Sequence, residues 1–127
     1  MINNLFVYGT LKTKFNNPAA LFLRNNSSFQ CTGYVFGELY EIAGYPGLII
    51  KKNNKEEKVF GEIYTLNNPS YVLNHLDKYE EINILNGNGE FKRERTAVYT
   101  PYGKINCWVY LYNSPIEGLK RIPDGNY

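Results

Sequence analysis

The sequence predicts an α+β domain built around a curved or closed sheet. Strand-like runs of apolar, aromatic and β-branched residues recur along the chain, whereas only two segments look like helix starts. These two are Asn17-Pro18 and Asn67-Asn68-Pro69, where an asparagine suited to capping a helix precedes a proline suited to its first turn. No internal repeat or low-complexity linker interrupts the sequence, so one domain over residues 1–127 is expected.

The predicted elements are mostly strands separated by turns. The first strand is Leu5–Tyr8, which stops at Gly9-Thr10 before a helix that begins at Pro18. The other strands are predicted at Ser28–Ile42, Leu48–Ile50, Val59–Leu66, Phe91–Thr100 and Ile105–Tyr112. The second helix is predicted from Pro69 to about Glu81, the Asn- and Gly-rich stretch Asn83–Gly89 as a loop, and the tail Ile122–Tyr127 as irregular.

Composition and charge argue against several classes of function. The formal net charge is +2, and the dense charge cluster Lys51–Lys58 mixes lysines with glutamates, which indicates a solvated loop rather than a nucleic-acid surface. The first residues lack the features of a signal peptide, and no apolar run is long enough to span a bilayer. We therefore expect a cytoplasmic protein that binds neither nucleic acid nor membrane. Cys31 and Cys107 lie in strand-like stretches without metal-ligand spacing, which predicts buried free thiols.

Glu80 is the acid that the sequence indicates most strongly as functional. Its helix carries the single histidine, His75, which excludes a multi-histidine metal site and is expected to be exposed. Glu80 follows Leu76 by four residues, so both lie on one face of the second helix. A carboxylate buried there would lose hydration, which raises its pKa towards neutrality. A pKa in that range suits a group that both takes and gives a proton. The helical pattern alone slightly favours the alternative, a glutamate in the last turn that points to solvent.

The turn Tyr8-Gly9-Thr10-Leu11 is the second candidate. A glycine where a strand ends allows consecutive backbone N–H groups to converge on an anion such as a carboxylate. Thr10 would add a hydroxyl group to this anion site, and the Tyr8 side chain would form one of its walls. From four residues alone, an ordinary strand-ending turn is the more frequent outcome. Lys12 and Lys14 are compatible with attracting an anion or with simple solvation.

Several segments, taken together, resemble one family. They are Leu5–Lys12, Gly37–Tyr40, Tyr45–Leu48, Val59–Tyr64, Leu76–Glu80, Trp108–Tyr110 and Ile122–Tyr127. In content and order they are similar to the γ-glutamylcyclotransferase-like proteins, including the γ-glutamylamine cyclotransferase branch. The resemblance spans nearly the whole chain. It departs from the family's usual pattern at Glu81, at Phe91 and in a longer Asn83–Gly89 loop.

The resemblance implies a small mixed β-barrel flanked by helices and a reaction that needs no metal or cofactor. Members of that family cleave a γ-glutamyl amide by attack of its own α-amine, which gives 5-oxoproline and a free amine. By position, Glu80 is implied as the general acid/base, and Tyr8, Gly9, Thr10 and Leu11 as the loop that binds the glutamyl α-carboxylate and amine. Tyr45 and Arg93 complete the candidate substrate-binding residues. Arg93 also has Glu80, Glu81 and Asp77 as possible ion-pair partners, and pairing at the surface is the commoner outcome.

Other functions stay open at this point. A non-catalytic relative would bind a small molecule or peptide in the same barrel. An aromatic-rich barrel that stacks single-stranded nucleic acid is a third possibility, against which the mixed charge argues. Within the enzyme interpretation the leaving amine is undetermined, although the Gly-Thr form of the loop favours the amine branch. The oligomeric state is undetermined as well.

Overall fold

The computed structural model describes residues 2–51, 53, 55–80 and 90–127. These residues form two helices and seven strands: β1 Asn4–Val7, α1 Pro18–Asn25, β2 Ser27–Glu41, β3 Pro46–Ile50, β4 Lys58–Leu66, α2 Pro69–Tyr79, β5 Phe91–Thr100, β6 Gly103–Tyr112 and β7 Lys120–Arg121. Every predicted strand and helix is present, whereas β7 was not predicted. Glu81 and the predicted loop Asn83–Gly89 lie outside the described residues, as do Lys52 and Asn54 of the Lys51–Lys58 cluster.

Five strands close into a mixed barrel. Their hydrogen-bonded order is β2-β4-β1-β6-β5, and β5 pairs back onto β2 where Tyr34 faces Tyr99. β1 runs parallel to β6, with Leu5 opposite Trp108, and the other neighbours are antiparallel. β3 and β7 pair with the distal part of β2. The predicted fold class, a small mixed barrel flanked by helices, is confirmed.

Both helices begin where the Asn-Pro signature places them. The side-chain oxygen of Asn17 accepts a hydrogen bond from the Ala20 N–H at 2.8 Å, and Asn68 does the same for the Tyr71 N–H at 3.3 Å. Each cap supplies an acceptor to a first-turn N–H that has no partner within the helix. In the described part of the chain, no helix is long and apolar enough to cross a membrane.

The side chains of the strands divide between two apolar clusters, as the period of two along a strand requires. On β1, Leu5 and Val7 pack with the helices, whereas Phe6 belongs to the second cluster, which fills the barrel. The barrel cluster also contains Cys31 and Cys107, both buried and free, as predicted. The first cluster holds α1 and α2 on the outside of the barrel wall.

Asp77 anchors the last turn of α2 to the barrel. It is buried, and it accepts hydrogen bonds from both arms of the Arg93 guanidinium, Nε at 2.9 Å and Nη2 at 3.2 Å. The Tyr110 hydroxyl donates to the same carboxylate at 2.7 Å, and the Arg93 guanidinium lies 4.5 Å from the centre of the Trp108 ring. Of the three partners predicted for Arg93, the structure selects Asp77, and the pair is part of the packed structure rather than a surface contact.

We expect Asp77→Asn to lower the free energy of unfolding by about 2–4 kcal/mol, because it leaves Arg93 without its counter-ion in a largely dry site. The matched control is Glu94→Gln, which removes an exposed ion pair with Lys92 and should cost less than about 1 kcal/mol. Urea unfolding of both variants and the wild type measures the difference. Equal costs for the two substitutions would contradict an anchoring role for Asp77.

Candidate active site

A cavity of about 370 Å³ opens beside the end of β1. It is bounded by the loop after β1, the turn before β3, the end of α2 and the start of β5. Its lining residues are Phe6, Val7, Tyr8, Gly9, Thr10, Leu11, Asn17, Gly44, Tyr45, Pro46, Tyr79, Glu80, Glu90, Phe91 and Tyr110. The sequence-predicted residues Tyr8, Gly9, Thr10, Leu11, Tyr45 and Glu80 all lie in this set. Arg93 does not, since Asp77 holds it outside the lining.

Tyr8 anchors one wall of the cavity. Its buried hydroxyl donates to the Tyr110 carbonyl at 2.6 Å and accepts from the Leu48 N–H at 3.3 Å. Burial and the nearby charge of Glu80 raise the pKa of Tyr8 well above its usual value, so the hydroxyl stays protonated. Tyr8 therefore positions the loop and does not titrate near neutral pH.

The loop that follows Tyr8 is a tight turn, closed by a hydrogen bond from the Lys12 N–H to the Gly9 carbonyl at 3.1 Å. Glycine is required at position 9 because a Cβ there would lie 2.6 Å from Cγ of Pro46. Among the residues that the structure describes, none accepts a hydrogen bond from the Thr10 or Leu11 N–H groups. Consecutive unpaired donors at a cavity wall form the kind of site that binds a carboxylate.

Asn17 couples the loop to the first helix. Besides capping α1, its side-chain amide donates to the Thr10 carbonyl at 2.7 Å. Arg24, on the same helix, donates to the Phe15 carbonyl at 2.8 Å, further along the loop. The sequence indicated Asn17 only as a cap. No local pattern reveals its second contact, because that contact exists only once the loop has folded back onto the helix.

Lys12 and Lys14 are tied to the segment 126–127 rather than to the cavity. The ammonium of the buried Lys12 donates to the side chain of Asn126 at 3.1 Å, and Lys14 donates to the Tyr127 carbonyl. The Tyr127 hydroxyl in turn donates to the Gly44 carbonyl at 2.8 Å. One segment thus joins the loop after β1 to the turn before β3, and both of these border the cavity.

Glu80 lies immediately after the last helical residue of α2, where its N–H still bonds to the Leu76 carbonyl at 2.9 Å. Its half-buried side chain lines the cavity, and no cation among the described residues forms an ion pair with it. Burial, then the negative charges of Glu90 and Asp77, raise the pKa of Glu80 to about 7. Both protonation states are therefore populated near neutral pH, as a group that takes and gives a proton requires.

Glu90 is a second acid of the lining, and sequence reasoning missed it. It directly precedes β5, and its carboxylate accepts a hydrogen bond from the Tyr45 hydroxyl. Its charge contributes to the raised pKa of Glu80. No motif indicated it, because only the tertiary fold brings the turn before β3, the end of α2 and the start of β5 together.

The single histidine, on α2, lies outside the cavity lining. His75 is exposed, as predicted, and its ring stacks on Phe22 with 3.8 Å between the centroids. No group of three or more metal-ligating side chains occurs within residues 2–51, 53, 55–80 and 90–127.

Glu80→Gln should change how stability depends on pH. The pKa of Glu80 is about 7 in the folded protein against an ordinary value of 4.5, so the folded state binds its proton more tightly. The stability that this proton contributes is complete below pH 4.5 and is lost as the pH rises through about 7. Relative to Glu80→Gln, the wild type should lose roughly 3 kcal/mol over that range. Urea unfolding of both variants across the range tests this, and a pH-independent difference would show that Glu80 is solvated.

Comparison with known proteins places this chain in a family. The family model described as gamma-glutamyl cyclotransferase, AIG2-like, matches residues 5–127. A gamma-glutamylcyclotransferase family protein, ytfP of Citrobacter rodentium (strain ICC168), is 32% identical over 130 residues, covering 97% of this chain and 93% of the relative.

Solved structures agree with this assignment. The solution structure of ytfP from Escherichia coli has a TM-score of 0.69 at 28% identity and covers 98% of this chain and 95% of its own. An AIG2-like protein of mouse shares the fold, with a TM-score of 0.71 at 22% identity. The match covers 99% of this chain and 88% of the mouse chain. The chain belongs to the AIG2-like γ-glutamyl cyclotransferase family.

Proposed function

We propose that this protein, acting as a single domain, cleaves a γ-glutamyl amide by intramolecular cyclisation. The α-amine nitrogen forms a bond to the γ-carbonyl carbon, the amide C–N bond breaks, and the products are 5-oxoproline and an amine. The observation that carries the proposal is Glu80, a carboxyl group with a pKa of about 7 that lines the same cavity as Thr10 and Leu11. Family membership supplies the reaction class.

The pKa of Glu80 suits the first proton transfer. A free α-amine has a pKa of about 8, so at neutral pH it is mostly protonated and cannot attack. Transfer of that proton to a carboxylate with a pKa near 7 costs only about 1.4 kcal/mol, whereas an ordinary glutamate would impose roughly 5 kcal/mol. Glu80 then returns that proton to the departing nitrogen. The attacking nitrogen must release a second proton to become the N–H of the lactam, and this proton also ends on the departing amine, which leaves as an ammonium ion, so no proton is gained or lost overall.

The loop after β1 orients the substrate for its own attack. We assign the Thr10 and Leu11 N–H groups to the α-carboxylate, with Gly9 allowing Pro46 to close the wall behind them. Fixing the α-carboxylate restricts the rotations that move the amine away from the γ-carbonyl. A well-oriented intramolecular attack can gain roughly 7–11 kcal/mol over a free encounter. Tyr45 is assigned to positioning through its bond to Glu90.

The proposal is tested by incubating the protein with γ-glutamyl amino acids and γ-glutamyl amines, including γ-glutamyl-ε-lysine, and detecting 5-oxoproline by mass spectrometry. Glu80→Gln should reduce turnover by roughly 10²–10⁴-fold, because it removes the proton carrier. For the wild type, kcat/KM should fall as the pH drops below about 7, where Glu80 becomes protonated.

The matched control is Glu94→Gln, an exposed acid outside the cavity that should keep wild-type turnover. Thermal shifts with the same amides report binding separately from turnover. Equal turnover in wild type and Glu80→Gln would remove Glu80 from the mechanism. Binding by both variants without any product would indicate a non-catalytic binding protein.

Asn17→Ser should remove the hydrogen bond between Asn17 and the loop after β1 while keeping the cap of α1. Serine keeps a capping oxygen for α1 but removes the donor to the Thr10 carbonyl, so stability should change by less than about 1 kcal/mol. The KM for a γ-glutamyl substrate should rise by roughly 3- to 10-fold as the loop loses that hydrogen bond. The control is Asn68→Ser, which changes the equivalent cap of α2 outside the cavity. If both variants show the same KM, the Asn17 contact does not order the loop.

A further inference from the structure

The cavity carries an excess of negative charge. Its described lining includes two carboxylates, Glu80 and Glu90, and no lysine, arginine or histidine. Two cationic residues that lie close in sequence to lining residues bind other side chains: Arg93 pairs with Asp77, and Lys12 donates to Asn126. The sequence from 81 to 89 adds no lysine or arginine.

Glu90 is assigned no contact with the reacting atoms, although its charge raises the pKa of Glu80. The proton moves through Glu80, and the α-carboxylate is assigned to the loop after β1. The Tyr45 hydroxyl donates to one oxygen of Glu90, which fixes the carboxylate at the cavity wall. A carboxylate has about four acceptor sites, so this bond leaves capacity for a donor on a ligand.

We propose that Glu90 makes the cavity selective for γ-glutamyl amides whose leaving amine carries a second positive charge, as the mono-amides of diamines and polyamines do. The inference rests on the proposed function and names the substrate class of that site. The far ammonium group would pair with Glu90 in a site whose described lining contains no cation that competes for it. A leaving group that ends in a carboxylate, such as an amino acid, would instead meet two like charges, which disfavours it.

Three amides of matched length test the selectivity: the γ-glutamyl amides of diaminopentane (cationic), pentylamine (neutral) and aminopentanoate (anionic). For the wild type, kcat/KM should decrease in that order, with roughly 5- to 20-fold between the cationic and neutral amides. Glu90→Gln should bring this ratio near one, and Glu90→Lys should make the anionic amide the best of the three. All rates are measured at one pH, and the ratio of kcat/KM values within one variant cancels any change in the protonation of Glu80 in the free enzyme, which affects the three substrates alike.

Tyr45→Phe is the matched control for a merely structural role of Glu90. It removes the hydrogen bond between the two residues but keeps the charge, so the preference for the cationic amide should persist. An unchanged ratio in Glu90→Gln overturns the proposal. A Tyr45→Phe variant that loses the preference as completely as Glu90→Gln overturns it too, since the hydrogen bond rather than the charge would then set selectivity.

A binding measurement separates this inference from the proposed function. Calorimetry with free diaminopentane and free pentylamine requires no turnover. Diaminopentane should bind the wild type and Tyr45→Phe more tightly than it binds Glu90→Gln. Pentylamine should bind all three proteins with similar affinity. If no amide yields 5-oxoproline but this pattern holds, the proposed reaction fails and the cation-selective role of Glu90 stands. Equal affinity of diaminopentane for wild type and Glu90→Gln overturns the role of Glu90 whatever the turnover.

Discussion

The site depends on the contact between Asp77, at the end of α2, and the β5–β6 hairpin. Three donor groups from Arg93 and Tyr110 satisfy this buried carboxylate, so the last turn of α2 is held against the barrel. Glu80 lies three residues later and shares that fixed position, but no cation within the described part of the chain pairs with it, so burial raises its pKa. Two acids at the end of α2 thus differ in their environment, because Asp77 is paired and Glu80 has no cationic partner among the described residues.

The opposite side of the cavity is held by contacts remote in sequence. Tyr8 joins the end of β1 to β6 and β3 through the Tyr110 carbonyl and the Leu48 N–H. Tyr127 bonds to Gly44 and also stacks on Phe15, which links the turn before β3 to the loop after β1. Loops are usually the mobile parts of a fold, and here the loop after β1 and the turn before β3, the two described ones that border the cavity, are each bonded to a second segment. Such bonding favours a cavity that is formed before the substrate arrives.

The sequence predicted what local physics decides. Asn-Pro pairs predicted both helix starts. The four-residue spacing from Leu76 allowed an inward-facing Glu80, but the helical pattern alone slightly favoured a glutamate that points to solvent. The position of Glu90, the second contact of Asn17 and the choice of Asp77 as the partner of Arg93 depend on distances across the fold, so no local pattern contains them. β7 was missed for the same reason, since two residues become a strand only by pairing with Tyr40 and Glu41 of β2. The spacing from Asp77 to Glu80, within the segment Leu76–Glu80 that contributes to the resemblance, has a structural consequence: the first acid anchors the turn that presents the second.

The proposed selectivity and the proposed catalysis are linked through one charge. Glu90 raises the pKa of Glu80 because two negative charges in one cavity repel each other. A cation bound at Glu90 would neutralise part of that repulsion, so the pKa of Glu80 would fall when the preferred substrate is in place. A larger fraction of Glu80 would then be ionised at neutral pH and ready to accept the proton of the α-amine. The charge that selects the leaving group would therefore also bring Glu80 into the protonation state with which the reaction begins, whereas a neutral amide would occupy the same cavity without that effect.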